Sequence, residues 1–519
     1  MRISTTQIFQ NSTRAILDQQ ASISYTQAQI GTGRKILTPA DDPAGAAKIV
    51  ELTKALSVNE QFQRNADAAE GRLSRQENAL VGVENILRRV SDLAIQGNND
   101  SQSPGSRRDI TTELRQRVDE LIGLANTKDA NGEYLFAGFQ RNTQPFARAS
   151  GGGFSYAGDQ GQRFMQISPS SQVADGDSGA DIFQLIRNGN GTFSTLDNAN
   201  NNGTGIIDPG RVTDNSAYVR DTYTINFPFQ TAAGSALSFN DVNANDTLAY
   251  TLDINGTTVY TVDETGTPVS SLAALAGVIN DDSGVTGVRA IVSGTTLYLT
   301  STTPSTSDIT VTETLTGFTP GDGDSLSGYF GGALNGDTGA SSSTVFSPDD
   351  ATVYLIEDAA GNIEAVDSYQ EDAFINFQGI QTLLKGNPMN GDQFTLSPSL
   401  NQDLFTTVDN LVTALESPSG LADDRARLHN QVNRVLADIR QAETSISQIR
   451  ARVGGRMQVI DGERISNDAA SFQMKSVLSG IQDLDIAEAA SRFNMQLVSL
   501  QAAQQAFVRV QGLNLFNFL

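Results

Sequence analysis

Two long stretches with apolar residues at alternating steps of four and three constrain this chain more than any other feature. In the first, Phe62, Ala66, Ala69, Leu73, Gln76, Leu80, Val83, Leu87, Val90 and Ala94 keep the spacing with one polar member. In the second, Leu428, Val432, Val435, Ile439, Ala442, Ile446, Ile449 and Val453 keep it unbroken, and Ile460 falls in phase. A mean spacing of 3.5 places each set on one seam of an α-helix and calls for partner helices to cover it. At 1.5 Å per residue each rod is about 50 Å long. The spacing therefore predicts one helical bundle fed from opposite halves of the chain. Its expected core is Leu73, Leu80, Leu87, Val432, Ile439, Ile446 and Val453. Ile110, Leu114, Leu121 and Ala125 predict a shorter third helix after the break at Ser103-Pro104-Gly105.

The extreme ends carry thinner stripes. Phe9, Ile16, Ile23 and Ile30 recur every seven residues, with Thr13, Gln20 and Gln27 expected on the companion seam. Ile486, Phe493, Leu500 and Phe507 repeat the interval near the other end, with Ala490 and Leu497 between them. The chain leaves by one of these helices and returns by the other, so an antiparallel pair is expected. Such sparse stripes bury little apolar surface against the entropy of ordering two long helices. Phe9, Ile16, Ile23, Ile30, Ile486, Phe493, Leu497, Leu500 and Phe507 are accordingly candidates for contact with other molecules. The residues alone leave a self-contained helical hairpin equally open.

Between these helical ends the composition shifts. From about Tyr134 to Thr395, Gly, Ser, Thr, Asn and Asp separate short alternating runs of Val, Ile, Tyr and Phe, which predicts strands and frequent turns. Asn255-Gly256 marks a hairpin within Tyr250–Val262, a short helix is expected over Ser270–Ile279, and strands near Val288–Val292, Thr296–Ser301 and Asp308–Thr314. The chain of 519 residues reads as an α+β multidomain protein. Terminal coiled-coil helices are expected at 1–43 and 479–519, and a long α-helical bundle at 44–189 and 397–478. Inserted β-rich outer domains follow, one at 190–230 and 346–396 and a nested one at 231–345. The net charge is −24, and between Phe146 and Thr395 there are 7 basic and 29 acidic residues, so the middle holds nearly all of it. A solvated, self-repelling surface follows, and a nucleic-acid partner is not expected.

Catalytic chemistry finds few footholds. The single histidine, His429, sits in the second heptad run, and there is no cysteine. A zinc site of His and Cys ligands cannot be assembled from that inventory, and a Ser-His-Asp triad would have to recruit His429 from inside its helix. No Gly-x-Ser-x-Gly elbow or Gly-x-x-x-x-Gly-Lys loop occurs. Asp175, Asp177 and Asp181, and likewise Asp322 and Asp324, resemble calcium-loop fragments without the full ligand spacing, and are expected to be polar turns. No enzyme activity, metal or cofactor is expected. The first residues lack the apolar core of a cleavable signal, and no run reaches the roughly 18 apolar residues of a membrane span.

Both ends resemble the flagellin-related axial proteins of the bacterial flagellum. The likeness runs through Gln29-Ile30-Gly31-Thr32-Gly33-Arg34-Lys35-Ile36 and Thr38-Pro39-Ala40-Asp41-Asp42-Pro43, then Asn131-Gly132-Glu133-Tyr134-Leu135-Phe136-Ala137-Gly138-Phe139. It returns at Gly386-Asn387-Pro388-Met389-Asn390-Gly391-Asp392-Gln393-Phe394 and at the ending Leu513-Asn514-Leu515-Phe516-Asn517-Phe518-Leu519. Within the family, Asp41-Asp42-Pro43 and the Phe-Asn-Phe-Leu ending are similar to hook–filament junction subunits more than to filament subunits. The resemblance implies a flagellin-like fold and an extracellular place in the flagellum, reached by type III export without a cleaved signal peptide. It implies as partners hook-associated protein 1, flagellin, further copies arranged in a ring, and an export chaperone, with no membrane insertion. The rival readings are a flagellin filament subunit, which would share the fold, and a flagellum-associated adhesin acting through 190–396. The segment Asp253–Thr300 is similar to a repeat found in the variable domains of the same family.

Overall fold

The computed structural model describes all residues except 1–4, 150, 232, 242–245, 303–306, 332, 337–339, 348, 350, 419 and 513–519. The family-like ending Leu513–Leu519 thus lies outside the described residues. Eight α-helices occur among those described. They are α1 (Thr5–Thr32), α2 (Pro43–Gly97), α3 (Pro104–Ala125), α4 (Leu272–Asp281), the single turn α5 (Ser283–Thr286), α6 (Leu404–Glu416), α7 (Ala422–Gln482) and α8 (Ile486–Gly512). Short antiparallel strands fill most of the space between α3 and α6. The chain packs as two compact units, one of Met1–Ser74, Arg163–Asp175 and Val453–Leu519, the other of Arg75–Gln162 and Gly176–Arg452. These divisions fall inside the long helices α2 and α7.

In the first unit, α2 and α7 lie antiparallel. Leu56, Ala66, Ala69 and Leu73 of α2 are buried, as are Val453 and Ile460 of α7. Asn59 Nδ2 donates to the Asn467 carbonyl at 2.6 Å and to Ser471 Oγ at 2.7 Å, while Gln63 Nε2 donates to Asp468 Oδ1 at 2.7 Å. Arg464 closes the same face on Asp67 and Glu70. A two-stranded hairpin, Phe164–Gln166 with Gln172–Ala174, is tied down by polar contacts at its tip and base. Asn65 and Asn467 donate to the carbonyls of Gln166 and Ile167, and the buried Asp175 pairs with Arg72 and Arg163.

The second unit buries the remaining heptad positions. Leu80, Val83, Leu87, Val90 and Ala94 of α2 are buried, together with Leu428, Val432, Val435, Ile439, Ile446 and Ile449 of α7. Ala79, Ile86 and Leu93 are also buried, so α2 here presents a broader face than a strict two-position seam. α3 and α6 account for the extra width. Side chains at both helix starts satisfy otherwise orphaned N–H groups: Ser103 Oγ accepts from Ser106 N, and Asp403 Oδ1 accepts from Thr406 N at 2.7 Å. Close approach is set by glycine. A Cβ on Gly82 would meet Leu124 Cδ1 at 2.9 Å, and one on Gly97 would meet Leu415 Cδ2 at 2.6 Å. Phe136, Phe146, Phe183 and Phe405 cap this core as an aromatic cluster, Phe146 and Phe405 having centroids 5.2 Å apart.

The β region is nested as the sequence order suggests. A five-stranded antiparallel sheet has the order Ile363–Ser368, Val353–Glu357, Tyr223–Asn226, Gln393–Pro398, Phe193–Asp197, so its neighbours come from opposite sides of the insertion. Inside it sits a second core of Tyr250, Leu252, Leu275, Ile279, Leu297, Leu299 and Val311. Its main sheet orders Thr257–Asp263, Ala249–Ile254, Ile309–Thr316 and Ser341–Phe346. The hairpin at Asn255-Gly256 turns with φ of 51° and 77°, both left-handed, as a tight two-residue turn requires. The expected helix at 270–279 is α4, begun two residues later because Ser271 caps it through Ala274 N. Buried Asp392 holds the Gly386–Phe394 stretch by accepting from Asn202 N, Gly203 N and Met389 N.

Two outcomes follow from this packing. Gly97→Ala is expected to cost about 1–3 kcal/mol by overpacking against buried Leu415. Gly123→Ala, where the added Cβ meets nothing within 4 Å, is expected to be neutral or stabilising by up to about 1 kcal/mol. Paired thermal melts check both. Burial raises the Asp438 carboxyl above its ordinary value, against the Gly189 N–H and the Arg434 charge. A raised folded pKa contributes stability at low pH that is lost as pH climbs through it, so the charged form costs stability at neutral pH. Asp438→Asn keeps an acceptor for Gly189 N but loses the 3.2 Å bond that Oδ2 accepts from Gln402 Nε2; removing the buried charge outweighs that loss and should raise Tm at pH 7. That gain should disappear below the ordinary aspartate pKa of about 4, which melts at pH 7 and pH 3.5 would reveal.

Candidate assembly surface

Helices α1 and α8 pair antiparallel. The rings of Phe9 and Phe507 stand 5.1 Å apart, Gln19 Nε2 donates to the Gln496 carbonyl at 3.1 Å, and Arg492 Nη2 reaches Gln29 Oε1 at 3.5 Å. The connecting segments at one end are bound to each other as well. Lys35 N donates to the Gln482 carbonyl at 2.8 Å and Leu484 N to the Gly33 carbonyl at 3.0 Å. In the Thr38–Pro43 motif, Asp41 Oδ2 accepts from Leu37 N and Thr38 N, and Asp42 Oδ1 accepts from Gly45 N, which starts α2 at Pro43. The Thr38 N–H, with the Tyr25 hydroxyl, holds the Asp41 carboxyl below its usual range.

Of the expected stripe, Ile16, Ile23, Ile30, Phe493, Leu500 and Phe507 are half-buried, and Phe9, Ile486 and Leu497 are exposed. Of the expected companion seam, Thr13 is half-buried and the other two members differ from expectation. Gln20 and Gln27 are exposed, whereas Gln19 is half-buried and Thr26 and Gln29 are buried. At 100° per residue the i+3 and i+4 neighbours of a stripe lie on opposite sides of it, and α8 approaches from the i+3 side. On α8 the same geometry buries Ala489 and half-buries Gln496 in place of Leu497. Sequence reading missed the outward face, where Leu17, Met495, Val498 and Val508 are each more than half exposed. Their signal was present as apolar residues off the seven-residue interval.

This pair does not satisfy its own polar groups. Thr13 Oγ1, Arg492 Nε and Gln496 Oε1 are buried without hydrogen-bond partners, and a shallow groove runs between Tyr25, Thr26, Gln29, Arg492 and Gln496. The bundle core differs in how completely its apolar seam is buried. Leu73, Leu80, Leu87, Val432, Ile439, Ile446 and Val453 are all essentially inaccessible. Even the polar member of that run is matched, since buried Gln76 donates to Asp177 Oδ2 at 2.8 Å and accepts from Asp177 N at 3.2 Å.

The residues weighed for chemistry have the following surroundings. His429 is half-buried with Nε2 3.1 Å from Asp100 Oδ1. The acidic fragments expected as polar turns differ in burial. Asp175 and Asp177 are buried anchors because Arg72, Arg163, Gln76 and Gln162 surround them, while Asp181 is exposed. Asp324 is buried beside Asp322 and Asp246, the three offering carboxylate oxygens within 4.8 Å of one another. Thr319 donates to Asp246 from both N and Oγ1, which draws the Asp246 carboxyl below its ordinary value. No helix among the described residues is long and apolar enough to cross a membrane.

Comparison with known proteins bears on the same helices. Residues 3–141 match the bacterial flagellin N-terminal helical region and residues 436–519 the bacterial flagellin C-terminal helical region. Over 186 residues the chain is 31% identical to flagellar hook-associated protein 3 of Escherichia coli strain K12, a match covering 36% of this chain and 58% of that relative. Phase 1 flagellin of Salmonella naestved is 30% identical over 113 residues, 22% of either chain. The crystal structure of flagellar hook associated protein-3 from Legionella pneumophila aligns with a TM-score of 0.56 at 23% identity, covering 83% of this chain and 98% of that one, which shows a shared fold. At both helical ends the chain is similar to bacterial flagellins and to hook-associated protein 3, and it shares the fold of a solved hook-associated protein 3.

Proposed function

We propose that this chain is a structural subunit of the bacterial flagellum acting as the adaptor between hook and filament. In this reading it contacts hook-associated protein 1 on one side, flagellin on the other, and further copies of itself within a ring. An export chaperone accompanies it before assembly, and its place is extracellular. The observation that carries the reading is the incomplete α1–α8 pair: its seam is only half-buried, three of its buried polar atoms lack partners, and its outer face exposes Leu17, Met495, Val498 and Val508. Partner helices laid on those faces would remove apolar surface from water and complete the hydrogen bonds. Contacts of this kind that do not close on themselves build open helical assemblies. The junction role is preferred to that of a filament subunit because the match to a hook-associated protein 3 spans more of both chains than the match to a flagellin.

Removing Leu500–Leu519 is expected to leave the bundle folded, block incorporation and release flagellin monomers into the medium. Normal filaments on cells carrying only the shortened chain would overturn the proposal. Hydrogen exchange on the dilute full chain should find residues 1–30 and 486–519 exchanging fast while 75–97 and 428–452 stay protected. Strong protection at both tips would instead support a self-contained hairpin.

A further inference from the structure

We infer that the first unit binds a second copy of this chain, seating a knob on α7 in a groove beside α2. The inference rests on the proposed function in supposing that copies stand side by side, and adds which surfaces meet. A groove of about 630 Å³ is lined by Ala55, Val58 and Phe62 of α2, Pro169 of the hairpin tip, and Ala470 and Met474 of α7. Nothing in the described fold fills it. In its lining the Ser168 hydroxyl is buried without a hydrogen-bond partner, so an occupant has one polar bond to make as well as an apolar surface to cover.

The knob lies on the other side of the same helix. Ile465 and Phe472 are 72% and 75% exposed, the most open large apolar residues on α7. Seven residues apart, they share one stripe about 10 Å long. The groove-lining part of α7, from Glu463 to Met474, spans about 16 Å, enough to receive both. At 100° per residue, Ala470 and Met474 point about 170° away from Ile465 and Phe472. One molecule therefore offers a knob one way and a groove the other, which is the arrangement of a heterologous contact that repeats around a ring or along a helix.

Charge favours knob-to-groove over knob-to-knob. Asp468 stands between Ile465 and Phe472, so two knobs facing each other about a two-fold axis would oppose its carboxylates at the centre of the contact, whereas Asp461 is already paired with Arg464. The groove rim instead offers exposed Lys54 to Asp468, and Glu51 and Glu463 to Lys475, which follows Phe472 by three. Both surfaces lie in the same unit as α1 and α8, so a contact here would add to whatever the terminal helices contribute.

Because the natural chain has no cysteine, engineered thiols report the contact cleanly. Full-length Val58→Cys and Ser476→Cys variants, purified separately, would be mixed under mild oxidation at concentrations where the chain self-assembles. The mixed 58–476 cross-link should exceed both same-site products. Adding Phe472→Asp to the Ser476→Cys chain should cut it by about tenfold, and adding Phe472→Leu should preserve it. All of these positions are exposed, so helix content and melting temperature should be unchanged, and circular dichroism checks that. Dominance of same-site products, or a mixed product indifferent to Phe472→Asp, would overturn the inference. The two ideas fail separately. Absent cross-links with filament loss after truncation at Leu500 would remove only this contact, whereas robust cross-links with normal filaments after truncation would remove only the junction role.

Discussion

The antiparallel seam between α2 and α7 is the constraint on which the rest of the structure depends. Its two helices come from opposite halves of the sequence, so the chain must leave and return before either can be covered. Everything between them is held at both ends by that pairing. The β region obeys the same logic one level out, where Tyr223–Asn226 is paired on either side with strands from beyond the insertion. An insertion as large as the core built on Tyr250, Leu252 and Val311 can be accommodated because the strands that lead into and out of it are already neighbours.

A purely apolar heptad seam tolerates slippage by whole heptads, since each seven-residue step restores the same pattern. Polar anchors remove that freedom here. Asn59 reaches the Asn467 carbonyl and Ser471, and Arg464 reaches Asp67 and Glu70. In the second unit Arg450 pairs with Glu77 and Glu84, while Gln76 is matched to Asp177. Each bond exists in one register only. A slip would strand a buried amide or charge, and the apolar packing restored in the new register would not offset that penalty.

The terminal pair is built by the same rules with weaker material. Gln19, Thr26, Gln29, Arg492 and Gln496 occupy positions that Leu, Ile and Val fill in the bundle, and Ala489 replaces a large side chain. Burial there is partial, polar atoms go unpaired, and apolar residues remain outside. These are the properties of an unfinished core, and they locate the demand for partners at the two ends of the chain.

Periodicity by itself determined the long helices and the seam at the centre of their buried faces, because a helix repeats its geometry at a fixed interval and Leu73, Leu80 and Leu87, like Val432, Ile439, Ile446 and Val453, could only share a seam. Turn chemistry did the same for the Asn255-Gly256 hairpin, and Asn-Gly needs no distant contact to be favoured there. What the tertiary structure decided was everything that depends on the direction of approach. The pattern at Ile16 and Ile23 permits either flank to be covered, and only the position of α8 chose Gln19 and Thr26 over Gln20 and Gln27. The acids at 175, 177 and 324 read as polar turns, and their burial is visible only once the groups around them have been brought alongside. Gly97 against Leu415 and the groove beside Val58 are likewise products of two surfaces meeting, and a sequence records each surface but not their meeting.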